Sequence, residues 1–186
     1  MFFISVVVYF SAFLIRPFFT THWQGMSAKQ CVCGALVYAI PAFSALLMLL
    51  FNHFRQRLAV PTLSRTSTLL CALIFGAIGL YLQAQESVWL VVSSRILYGI
   101  ALFQVMVLLE VMLFAKSEPA HYGSDFAKVH VAQNIGVILA SLLVGMSVEY
   151  FNTTVPFYFA AIGFASLGAI LLWRVKFVGR TVHTAT

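Results

Sequence analysis

Residues 88–115 read VWLVVSSRILYGIALFQVMVLLEVMLFA, and the only charged side chains among them are Arg95 and Glu110. About 20 apolar residues at 1.5 Å per residue cross the hydrocarbon core of a bilayer. This stretch is long enough to cross and too apolar to face water. The pattern repeats on both sides of it, at about 2–22, 31–51, 67–84, 127–149 and 153–173. In chain order these runs are spans 1 to 6, with 88–115 as span 4. The predicted fold class is an all-α membrane protein. Its six transmembrane helices form a single bundle over 1–186, and no room is left for a soluble domain.

Composition agrees. Of 186 residues, 62% are apolar and 9% are charged, with a mean hydropathy of +0.98. A soluble domain carries roughly 45–50% apolar and about 25% charged residues, and a small one cannot hide a larger apolar share. A soluble enzyme, a disordered chain and a disulfide scaffold are excluded. Cys31, Cys33 and Cys71 lie in or beside apolar runs, without the clustering a zinc site needs. They read as small apolar filler, and no metal or cofactor is expected. The first run lacks a basic leader and continues past Arg16, so it reads as a span and not a signal peptide.

The net charge of +6 is mainly a topology signal. If both termini share a side, that side holds Arg55, Arg57, Arg65, Lys116, Lys128, Arg174, Lys176 and Arg180. The other side holds Lys29 alone. Basic residues concentrate in cytoplasmic loops, so both termini are expected inside, in a bacterial inner membrane. No nucleic-acid partner is implied.

Polar residues inside a bilayer are costly and tend to face a cavity or a partner. Spans 3 and 6 carry no charge and read as peripheral. Ala161, Ala165 and Ala169 of span 6 repeat at the four-residue spacing of close helix packing. Span 1 has Arg16, span 4 has Arg95, Gln104 and Glu110, and span 5 has His130, Gln133 and Asn134. On span 5 His130, Gln133/Asn134, Val137, Ser141 and Gly145 fall on one helical face. Spans 1, 4 and 5 are therefore expected to line an interior path. Arg16 and Arg95 lie at similar depth, while Glu110 is roughly 22 Å along span 4 from Arg95. Gln104 points about 180° from Arg95 and is a candidate to bond a neighbouring helix. Pro17 and Pro41 free the carbonyls of Phe13 and Val37 and can kink their spans. Trp23, Trp89 and Trp173 sit near span ends, as an interfacial belt expects.

Six spans, peripheral third and sixth helices, and SRILYG at 94–99 together resemble half of a major facilitator transporter. The Arg95-to-Gly99 spacing matches that family's fourth-helix pattern, and RPFF at 16–19 is similar to its first helix. NHFRQR at 52–57 has basic residues but lacks the Asp and Gly of the family signature, and span 5 lacks a Gly-Pro pair. The opening of Met1 into a span and the basic end at 174–186 favour the C-terminal half. The stretch 118–140, EPAHYGSDFAKVHVAQNIGVILA, is similar to siderophore exporters of the vibrioferrin type. The resemblance implies a 3+3 inverted repeat and proton-coupled export of a small anionic solute by alternating access. It also implies a partner, either the missing six-helix half or a second copy. On this reading Arg16, Arg95 and Gln104 meet the substrate. Glu110 and His130 carry the proton, and Gln133, Asn134 and Gly99 line or pack the polar path. Multidrug efflux and a transport-inactive remnant are the alternatives. An intramembrane protease is not expected, because no Gly-x-Ser-Gly-like loop is present.

Overall fold

The structure, a computed structural model, describes residues 2–27, 33–57 and 63–183. Lys29 and Cys31 lie outside the described residues, as does the side chain of Arg180. The helices are α1 (Phe2–Leu14), α2 (Phe19–Ser27), α3 (Gly34–Arg57), α4 (Arg65–Gln83), α5 (Val88–Phe114), α6 (Tyr122–Tyr150) and α7 (Val155–His183). No strand occurs among the described residues. Among the described residues six helical stretches are long and apolar enough to cross a bilayer, as a multi-pass membrane protein requires. Span 1 comprises α1 and α2, and spans 2 to 6 are α3 to α7.

The ends differ from expectation where capping or polar turns extend a helix. Span 3 begins at Arg65 and not Ser67, because the Ser64 hydroxyl accepts the Ser67 N–H at 3.1 Å. Span 5 begins at Tyr122, so Lys128, expected in a loop, lies in a helix and pairs with Asp125 at 3.1 Å. Its polar opening turns are helical beyond the apolar run that marked the span. Span 6 likewise runs past Trp173 to His183.

Span 1 packs on spans 5 and 6, span 4 packs on spans 2 and 3, and spans 3 and 6 pack on each other. Small residues make these approaches close. The buried seam of span 5 is Ala132, Gly136, Ala140 and Val144, at four-residue spacing. At Gly136 an added Cβ would strike the Val6 carbonyl and stand 3.0 Å from the Phe10 amide. The expected stripe on span 6 is corrected by the structure. Ala161 is buried, but Ala165 and Ala169 face outward. The packing face of span 6 is Phe157, Ala160, Phe164, Leu167 and Gly168. Its large rings need facing gaps, and the Phe164 ring lies against Gly76 of span 3.

Trp23 is also corrected. It is 1% exposed and stacks on Phe19, whereas Trp89 and Trp173 are 79% and 62% exposed. Leu36, Phe43, Leu47, Ile138, Leu142 and Ile162 face outward among many other apolar side chains. Such a surface is solvated by lipid or by further protein.

Candidate functional site

The site is organised around Pro41. A proline inside a helix has no N–H for the carbonyl four residues earlier and crowds that carbonyl. Here the orphan is Val37, as the sequence indicates. Arg95 Nε donates to the Val37 carbonyl at 2.8 Å, and a terminal guanidinium nitrogen donates to the Tyr38 carbonyl at 2.9 Å. The other terminal nitrogen donates to Gln83 Oε1 at 3.2 Å. The plane of the guanidinium rests 3.7 Å from the Phe19 ring centroid, a cation–π contact. Arg95 thereby ties spans 1, 2, 3 and 4 together at one point.

Gly99, one turn beyond Arg95, explains how span 2 gets so close. A Cβ there would stand 2.6 Å from both Cα and O of Pro41 and 2.9 Å from Ser44 Cβ. Only a residue without a side chain admits the proline turn. Ser44, on the same face, donates its hydroxyl to the Ile40 carbonyl at 2.8 Å.

Gln83 extends the network. Its side-chain nitrogen donates to the Gly79 carbonyl at 3.3 Å, and its own carbonyl lies 3.2 Å from His22 Nε2. A carbonyl only accepts, so His22 Nε2 carries the proton. His22 Nδ1 faces the Thr153 hydroxyl at 3.5 Å, and the ring packs on Phe157 with centroids 4.9 Å apart. Sequence reading missed Gln83, His22, Phe19 and Tyr38. Two signals were present: an orphan carbonyl at Val37, and a buried guanidinium with no acid in reach along its own helix.

Beside this network lies a half-open cavity of about 360 Å³. Span 1 lines it with Ala12, Ile15, Arg16 and Phe19. Span 2 contributes Tyr38, Pro41, Ala42 and Ala45. Span 4 contributes Arg95, Tyr98, Gly99, Leu102, Phe103 and Met106. Arg16 and Arg95 do share one cavity, as their depth suggested. Arg16 is exposed, with its guanidinium 4.1 Å from the Phe13 ring centroid. Among the described residues no carboxylate lines the cavity.

The expected path along spans 1, 4 and 5 is corrected at its third member. Span 2 lines the cavity and span 5 does not. Span 5 spends its small face on span 1, so His130, Asn134, Ser141 and Gly145 point outward while Gln133 is buried. Gln104 is not in the cavity; it donates to Asn52 Oδ1 of span 2 at 3.3 Å, the neighbour bond anticipated for it. Glu110 and His130 are both exposed, and no hydrogen bond or ion pair joins them among the described residues. His130 Nδ1 pairs instead with Gln133 Oε1 at 2.9 Å, and its ring stacks on Phe126.

The arrangement can hold an anion. Five N–H groups radiate from a guanidinium. Arg95 commits three of them to protein acceptors, leaving two for a ligand. Arg16, also in the lining, carries a second guanidinium. No family model matches the chain, and no curated protein matches it significantly.

Proposed function

We propose that the chain is half of a transporter of the major facilitator type, exporting a small anionic solute by proton-coupled alternating access. The observation that carries this is a half-open cavity among spans 1, 2 and 4 that holds two arginines and no acid. A guanidinium in a membrane span costs about 2.5–3.5 kcal/mol to insert. Such a charge without a fixed counter-ion suits a site that receives its anion from outside.

The packing pairs support an inverted repeat. Exchanging spans 1, 2 and 3 with spans 4, 5 and 6 turns the 1–5 contact into 4–2 and the 1–6 contact into 4–3. The 3–6 contact maps onto itself. In inverted-repeat carriers the solute site lies where such repeats meet. The basic residues at one set of span ends support cytoplasmic termini. The wide apolar faces of spans 2 and 5 are where a second half or a second copy would dock. The resemblance at 118–140 supports a carboxylate siderophore as one candidate solute, which competes with a smaller monoanion matched to the cavity walls.

In this scheme Arg16 is the exposed contact to the solute and Arg95 the one fixed by its hydrogen bonds. Glu110 and His130 carry the coupling protons as separate groups outside the cavity. The test is flux of a carboxylate into proteoliposomes under a pH gradient. Arg16→Gln is expected to slow flux about tenfold, and Glu110→Gln to flatten its pH dependence. An unchanged pH profile in the Glu110 variant would remove that residue from the coupling.

A further inference from the structure

Resting on that function, we infer that the solute is a soluble amphipathic monoanion: one acidic head on an apolar body. Its head group is set by a count of donors. Arg95 has two N–H groups left after binding Val37, Tyr38 and Gln83, enough for one carboxylate or sulfonate edge. Arg16, exposed at the break in span 1, closes on the same head.

The body follows from the walls. Apart from the two arginines and two tyrosines, every lining residue is apolar or glycine. Leu102, Phe103 and Met106 continue the span 4 wall away from Arg95, and Ala12, Ala42 and Ala45 leave width opposite. With Arg16 and Arg95 both closed on one head, a second or third carboxylate would find no further cation in the lining. Each further carboxylate, and each hydroxyl of a sugar-like body, would be buried without a partner, which is costly. An aryl or alkyl body gains by leaving water. The volume of about 360 Å³ sits at the small end of organic-ligand sites, roughly 300–1,000 Å³.

The experiment is equilibrium binding to the purified full chain in nanodiscs of neutral phosphatidylcholine. Three probes are compared: 4-phenylbutyrate, its uncharged analogue 4-phenylbutanol, and citrate. Phenylbutyrate is expected to bind at least tenfold more tightly than either of the others. Arg16→Gln should erase its advantage over phenylbutanol. Met106→Gln should weaken phenylbutyrate severalfold and leave citrate unmoved. Citrate binding equal to or better than phenylbutyrate would overturn the inference while leaving an anion carrier standing. Absence of phenylbutyrate binding also overturns it. So does loss of that binding when phosphatidylglycerol is added to the nanodisc, since the site would then belong to a lipid. Binding as expected, with no flux of phenylbutyrate under a pH gradient, would sustain the ligand class and sink the transport function.

Discussion

Pro17 and Pro41 stand in adjacent spans and face the same problem, and the chain meets it in two ways. In span 1 the helix gives way. α1 ends at Leu14, α2 begins at Phe19, and the orphan Phe13 carbonyl accepts the Arg16 N–H at 3.3 Å. The repair is local, and it leaves Arg16 and Pro17 exposed, with Arg16 in the cavity lining. In span 2 the helix carries on from Gly34 to Arg57 through the proline. Its orphan carbonyl is served from another helix by Arg95, and Gly99 provides the clearance. An interior proline costs about 3 kcal/mol or more. A span absorbs that either by opening where water can reach or by recruiting a donor. Only the second route builds a rigid junction.

The comparison breaks most visibly at Arg95. Arg95→Met removes the cost of a buried charge, about 2.5–3.5 kcal/mol. It also strands the Val37 carbonyl and the Gln83 amide oxygen, at about 1–3 kcal/mol each, and removes the added bond to the Tyr38 carbonyl. The expected net loss is about 2–4 kcal/mol, read from the midpoint of unfolding in mixed micelles of detergent and dodecyl sulfate. An unshifted midpoint would mean that span 2 does not depend on this donor.

Gly99→Ala comes next. The new methyl meets backbone atoms of Pro41, which cannot swing aside as a side chain would. Overpacking of this kind costs about 1–3 kcal/mol. The same unfolding assay should show it, with a wider separation of spans 2 and 4 in a cross-linking or spin-label distance measurement.

A double-mutant cycle then sharpens the pairing. Pro41→Ala restores an N–H for Val37, so it should recover about 1–2 kcal/mol of what Arg95→Met loses. Strict additivity of the two substitutions would separate arginine from proline and undo the account given for span 2.

The smallest effect is expected at Pro17. Because the local turn already satisfies the Phe13 carbonyl, Pro17→Ala should shift stability by less than about 0.5 kcal/mol. It should instead slow amide hydrogen exchange around the break as the two helices join. A large stability change would show that the break, too, is held by tertiary contacts.

How legible was this in the sequence? Arg95, Gly99 and Pro41 all stand out along the chain, and the Val37 orphan follows from the proline alone. That these belong to one junction does not follow, because spacing says nothing about which helix lies opposite. Span 5 teaches the same lesson. Its polar residues suggest an interior face, yet Ala132, Gly136 and Ala140 bring the opposite face onto span 1. Close packing over about three turns outweighed a few polar side chains that solvent or another protein surface can satisfy. Span 6 errs in the reverse direction: its alanines resemble a seam, but Phe157 and Phe164 fill larger gaps than alanine can.

The sequence by itself determined the number of spans, their approximate ends and the scarcity of charge within them. These follow from one-dimensional quantities, the length of an apolar run and the cost of placing charge in hydrocarbon. Only the tertiary structure decided that span 2 and not span 5 borders the cavity. It also decided that Arg95 is first of all a hydrogen-bond donor to a broken helix. Both depend on which surfaces meet, and in a bilayer that choice rests on shape and unsatisfied backbone, since apolarity is the same on every side.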